Sequence, residues 1–200
     1  MPFRRPARLA ALLAAWAILM SAMAGPTAAG GGGRAQAGAT PVLVVGDSLA
    51  VGLEPYLGAM LGARPVVWNA VSGRTTPQGL FALRAMLRQV TPQTIVISLG
   101  TNDGPNPARF RSRIDRVLAA APPGACVVWT TVIRAPRKGA YHELNAALRE
   151  EATLDSRLVL VDWARAVASG RVALPDGVHP DPAGFSYRSQ MIAGGVARGC

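Results

Sequence analysis

The sequence predicts an α/β sandwich built around a parallel sheet. Three observations carry that prediction. Five short runs rich in Val and Ile recur along the chain. Each is nearly continuous in apolar character rather than alternating, as in strands buried on both faces. Between the runs lie longer segments with apolar residues at helical spacing, and strands alternating with such helices build parallel sheets with helices on their faces.

The elements follow in order. Val42–Val45 is the first strand, and Leu49–Leu61 continues as a helix. Val66–Val71 is the second strand. The next helix spans Leu80–Val90, with apolar residues at 80, 83, 86, 87 and 90 forming one stripe. Thr94–Leu99 is the third strand. Ala108–Ala120 repeats apolar residues at 110, 114, 117 and 118. Val127–Val132 is the fourth strand, Tyr141–Leu154 a helix with a polar far side, and Leu158–Val161 the fifth strand. Gly184–Ala197 closes the chain as a helix, with Asp181 as its N-cap and Pro182 in its first turn. No internal repeat is visible.

Length and composition set limits. The chain has 200 residues, 50% hydrophobic and 16% charged. That suits one domain with a sizeable core and excludes a wholly disordered chain. Residues 1–24 read as an export signal: Arg4, Arg5 and Arg8 precede an apolar stretch, Leu9–Ala24, that ends in a small-x-small pattern. The stretch is short for a spanning helix, which favours cleavage after Ala24 over an uncleaved membrane anchor. Residues 25–40 form a flexible Gly/Ala-rich lead-in, and residues 41–200 the folded domain. The expected location is secreted or periplasmic, with a membrane-tethered form as the alternative. The mature protein is expected to be a monomer with no stable membrane insertion. Export also makes a disulfide between Cys126 and Cys200 the default, against two unpaired thiols. The two Cys and two His show no metal-ligand spacing.

In a parallel α/β sheet, functional residues gather at the carboxyl ends of the strands. There the chain places Gly46-Asp47-Ser48-Leu49, then Asn69-Ala70-Val71-Ser72-Gly73, then Gly100-Thr101-Asn102-Asp103. The loop after the fifth strand gives Asp176-Gly177-Val178-His179. Ser48 opens a helix, so it reads either as an N-cap or as a nucleophile beside free backbone N–H groups. A serine nucleophile needs a base, usually histidine. Of the two His, His142 lies in a charged helix start and reads as a surface residue, whereas His179 has Asp176 three residues before it to orient its ring. Asp176-Gly177 also fits a plain turn. The Ser48 N–H, the Gly73 N–H and the Asn102 side chain are candidate donors to an oxyanion. Gly73 and Asn102 read equally well as turn residues. An α/β-hydrolase is excluded, because no G-x-S-x-G motif exists and the serine ends the first strand.

These four blocks, in this order, resemble the SGNH (GDSL) hydrolase family over roughly residues 41–200. The resemblance implies a three-layer α/β/α sandwich with a flavodoxin-like five-stranded parallel sheet. It implies Ser48 as nucleophile, His179 as base, Asp176 as its partner, and an oxyanion hole from Ser48, Gly73 and Asn102. No metal or organic cofactor is implied. The activity implied is serine-esterase hydrolysis of carboxylic esters through an acyl-enzyme. Val128-Trp129-Thr130-Thr131-Val132 and Val161-Asp162-Trp163 are similar to family members that handle O-acetyl groups on cell-wall or surface polysaccharides. Asp103 departs from that subgroup and leaves room for a general esterase or a lysophospholipase. The expected partner is thus a small ester or an acylated glycan or lipid.

The formal net charge is +10, from 20 Arg and one Lys against 11 acids. Loss of residues 1–24 leaves 18 basic residues and a charge of +7. Most Arg residues read as solvated helix faces. Arg74 and Arg134 follow strand ends and, with Asp103, are candidates for substrate binding at the site mouth. Nucleic acid is not an expected partner, since the chain carries no recognisable module for it. A non-catalytic surface-binding module is the reading from outside the enzymes, motivated by the charge alone.

Overall fold

The computed structural model describes residues 39–135, 139 and 141–199. Five strands form one parallel sheet: β1 Val42–Gly46, β2 Val66–Ala70, β3 Thr94–Ser98, β4 Cys126–Thr130 and β5 Leu158–Val161. Their order is β2-β1-β3-β4-β5, a flavodoxin-like arrangement. The continuous apolar runs have the expected cause: β1, β3 and β4 are buried at every position. The edge strands β2 and β5 are only partly covered.

Among the described residues, seven helices cover the sheet: α1 Ser48–Val51, α2 Glu54–Met60, α3 Thr76–Leu87, α4 Pro107–Ala120, α5 His142–Leu154, α6 Trp163–Ala168 and α7 Pro182–Arg198. Because strand side chains alternate, each strand feeds two cores. Leu43, Val45, Ile95, Ile97, Val127 and Trp129 pack against α3, α4 and α5. Val42, Val44, Val96 and Val128 pack against α1, α2 and α7. This is the predicted three-layer sandwich.

The helix predicted over Leu49–Leu61 is two helices, α1 and α2. Gly52 interrupts it because Phe185 of α7 packs against its Cα; a Cβ there would lie 2.1 Å from the ring. Pro55 then sits in the first turn of α2, where its missing N–H costs nothing. α3 begins at Thr76, earlier than its apolar stripe, because the Gln78 side chain accepts from the Thr75 N–H at 2.9 Å, half of a capping box. The short α6 had no sequence expectation; Asp162 caps it by accepting from the Arg165 N–H at 3.2 Å. α7 starts as expected, with Asp181 Oδ1 accepting from the Gly184 N–H at 2.7 Å and Pro182 in the first turn.

Cys126 is buried at the start of β4. Its expected partner Cys200, the export signal over residues 1–24 and most of the lead-in lie outside the described residues. Among the described residues, no helix is long and apolar enough to cross a membrane.

Candidate active site

The chain enters the sheet at β1, pairs β2 on one side and then crosses to β3 on the other. The order therefore reverses between β1 and β3, and a crevice opens beyond their carboxyl ends. Ser48 follows β1 and Asn102 follows β3, so both stand at that crevice. The turn out of β1 is tight. A Cβ on Gly46 would meet the Ala50 Cβ at 2.2 Å and the Ser98 carbonyl at 2.9 Å, so only glycine allows β1 to pass directly into α1.

Asp47, not Ser48, is the N-cap of α1. Its Oδ1 accepts from the Leu49 N–H at 3.0 Å. Ser48 is therefore the first residue of the helix and not its cap, and its hydroxyl faces away from the backbone it would have capped. Its Oγ lies 2.7 Å from His179 Nε2, across 131 residues of sequence. His179 Nδ1 lies 2.7 Å from Asp176 Oδ2. Asp176 Oδ1 accepts from the His179 N–H at 2.7 Å and the Val178 N–H at 2.9 Å. The hydrogen bond from the His179 ring, then those two N–H groups, hold the Asp176 carboxyl well below the usual carboxylate range. The pair forms within one turn, which Gly177 makes at φ +78°. His179 and Asp176 keep 40% and 57% of their side-chain surface, so the site is open to solvent.

The three donors expected around an oxyanion follow three different strands, β1, β2 and β3. Ser48 is the first residue of α1, where backbone N–H groups lack helical partners. Gly73 has φ +76°, a left-handed conformation that glycine adopts without strain. Asn102 is anchored: its Nδ2 donates to Asp47 Oδ2 at 3.3 Å and to the Arg74 carbonyl at 3.2 Å. Beside Gly73 opens a groove of about 690 Å³, lined by Val71, Arg74, Pro77, Phe81, Ala82 and Ala85 among others. Phe81 is 77% exposed and Val71 52%, a notable amount of bare apolar surface at one place.

Of the three candidate substrate-binding residues, only Arg74 lines this groove. Its guanidinium donates to the Asn69 carbonyl and to Asn69 Oδ1 at 2.8 Å. Asp103 and Arg134, expected beside it at the site mouth, turn inward instead. The Asp103 side chain is fully buried; it accepts from the Thr76 N–H at 2.9 Å, from the Thr76 hydroxyl and from Arg113 at 2.6 Å. Arg134 is 3% exposed and donates to the Thr101 carbonyl at 2.9 Å and the Gly104 carbonyl at 3.0 Å. Both hold the loop that carries Asn102 and leave no charge for a ligand. Trp129 is also interior: its Nε1 donates to the Leu99 carbonyl at 3.0 Å and its ring meets Phe110 edge-on.

Asp47 is fully buried directly behind Ser48. Burial pushes its carboxyl up to about 6, opposed by the Leu49 N–H and then by the charge of Arg188. Nothing in the sequence around Arg188 marks it as part of the site. An arginine within a helix reads as solvated, and its burial arises only where α7 crosses the ends of β3 and β4.

The GDSL-like lipase/acylhydrolase family matches residues 44–186, a span that includes Ser48, Gly73, Asn102, Asp176 and His179. The chain belongs to that family. An arylesterase of Vibrio mimicus is 25% identical over 173 residues, which cover 76% of this chain and 86% of that one. Esterase TesA of Pseudomonas aeruginosa is 42% identical over 81 residues, 34% of this chain and 40% of that protein. A crystal structure of TesA superposes with a TM-score of 0.67 at 25% identity, covering 80% of this chain and 99% of that one. The C-terminal catalytic domain of Streptococcus pneumoniae peptidoglycan O-acetyltransferase A shares the fold, with a TM-score of 0.63 at 22% identity over 80% of this chain and 92% of that domain. As a GDSL-like acylhydrolase, the protein is an ester-hydrolysing enzyme.

Proposed function

We propose that this GDSL-like acylhydrolase is a secreted serine esterase in which Ser48, His179 and Asp176 act as a catalytic triad. The observation that carries the reading is the continuous chain of two 2.7 Å contacts, Ser48 Oγ to His179 Nε2 and His179 Nδ1 to Asp176 Oδ2. The Ser48 hydroxyl gives its proton to Nε2 as Oγ attacks the ester carbonyl. The ionised Asp176 stabilises the imidazolium. The tetrahedral oxyanion is met by the Ser48 N–H, the Gly73 N–H and the Asn102 amide, one hydrogen of which turns from the Arg74 carbonyl to the oxyanion while Asp47 holds the other. Collapse expels the alcohol, which takes the proton from His179 and leaves an acyl-Ser48. Water, deprotonated by His179, then releases the acid and restores the serine.

The groove beside Gly73 supports an apolar acyl or aryl portion, because Val71, Phe81, Ala82 and Ala85 offer it no charge. The open triad supports small esters over a narrowly enclosed substrate. Transfer to a sugar is less favoured, since the Trp129–Thr131 segment that suggested it is buried. Residues 1–24 act as the export signal and residues 25–40 as the lead-in, on the sequence features alone. Export in turn supports a disulfide between Cys126 and Cys200.

Ser48→Ala tests the reading. Turnover of a p-nitrophenyl ester should fall by about 10⁴-fold or more, the scale on which triad serines matter. A fluorophosphonate probe should label wild type at Ser48. Unchanged turnover in the variant would overturn the assignment, and absence of labelling with retained glycan binding would favour a non-catalytic module.

A further inference from the structure

Arg188 lies on α7 and is 1% exposed. Its Nη2 donates to Ser98 Oγ at 3.0 Å and to Thr130 Oγ1 at 2.7 Å, at the ends of β3 and β4. Its guanidinium carbon stands 4.7 Å above the Trp163 ring. Hydroxyls and a ring face do not neutralise a charge, and an uncompensated buried cation is expensive. Ser98 joins Arg188 to Asp47, the buried residue just before Ser48: the Ser98 carbonyl accepts from the Asp47 N–H at 3.1 Å, while the Ser98 hydroxyl accepts from Arg188. The burial of each group is opposed by the charge of the other. Asp47 in turn makes two contacts that bear on catalysis. It caps α1 through the Leu49 N–H, and it accepts from Asn102 Nδ2.

We propose that Arg188 is a positioning residue of the active site. Its buried charge keeps the Asp47 carboxylate ionised, and that carboxylate holds both the start of α1, where Ser48 stands, and the amide of Asn102. The inference rests on the proposed roles of Ser48 and Asn102. A neutral Asp47 is a poorer acceptor, so it loosens its hold on both groups. Burial alone drives Asp47 toward its neutral form, and Arg188 opposes that drive. Among the described residues, the other charged or titratable groups facing Asp47 are His179, from the loop before α7, and Arg74, from the loop after β2. Asn102 and the Leu49 N–H complete its surroundings as neutral donors. Arg74 is only partly buried and is engaged by Asn69, which leaves Arg188 as the fully desolvated partner.

The test is the pH dependence of kcat and KM for p-nitrophenyl acetate in wild type, Arg188→Lys, Arg188→Met, Asp47→Asn and the double variant Asp47→Asn/Arg188→Met. Arg188→Met should lower kcat near neutrality by about tenfold with KM within about twofold, a fraction of the cost of deleting an oxyanion donor. Its acid limb should move to higher pH, so that activity recovers in alkali. Arg188→Lys should retain the wild-type limb. In the Asp47→Asn background the Arg188→Met change should shift nothing further. Superposition of the Arg188→Met and wild-type limbs would overturn the proposal. So would an equal shift in the Asp47→Asn background, because the charge would then be acting on His179 directly. If Arg188→Met does not fold, Asp47→Asn decides: kcat about tenfold lower with KM unchanged supports the link, and a profile identical to wild type refutes it. Failure of the triad itself would show separately, as turnover that survives Ser48→Ala.

Discussion

Asp103→Ala separates two roles for one residue. The sequence placed Asp103 at the mouth of the site as a substrate contact; the structure makes it a buried clamp between the loop after β3 and the start of α3. Removal strands the Thr76 N–H and hydroxyl, and Thr76 is fully buried. Each orphaned buried donor costs about 1–3 kcal/mol. Arg113 keeps 17% of its side-chain surface, so it can turn to water and adds less. The start of α3 also loses a favourable anion, worth roughly 0.5 kcal/mol. Together the change should cost about 3 kcal/mol, or about 6–12 °C in Tm for a domain of this size. Thermal unfolding by circular dichroism measures that loss, and steady-state kinetics well below Tm measures binding. KM for p-nitrophenyl acetate should stay within about twofold of wild type, as expected for a group that does not touch substrate. A Tm within about 2 °C of wild type, combined with a tenfold rise in KM, would return Asp103 to the substrate and refute the buried-clamp account.

Two further outcomes are expected. Phe81→Ser should raise KM for hexanoyl and longer p-nitrophenyl esters by about 5–30-fold while leaving acetate unaffected, since about 1–2 kcal/mol of apolar contact is removed from the groove; equal effects on all chain lengths would place the acyl group elsewhere. Intact-mass measurement of the exported protein should show a gain of two protons on reduction, and an unchanged mass would mean that Cys126 and Cys200 are not joined.

Much of the site was legible because its pieces are local. The step from β1 to Ser48 needs a glycine at 46, and the sequence shows it. Asp176 and His179 meet within one turn, so their spacing already implies the contact. What brings His179 to Ser48 is not local. It depends on α7 and the loop before it returning over the crevice between β1 and β3. The break between α1 and α2 was hidden for the same reason: Gly52 answers to Phe185, more than a hundred residues away. Asp103, Arg134 and Arg188 were illegible because a charged side chain in a sequence reads as solvated. Only packing shows which ones turn inward to carbonyls, hydroxyls and each other.

The sequence by itself determined the layers of the sandwich and the four polar blocks at the strand ends, because apolar period, glycine positions and turn chemistry act over a few residues. The tertiary structure decided which charges do the work. Burial changes what a carboxylate or guanidinium is worth, and burial is a property of the assembled fold: it left Asp176 exposed beside His179, spent Asp103 and Arg134 on a loop, and set Arg188 against Asp47 behind the serine.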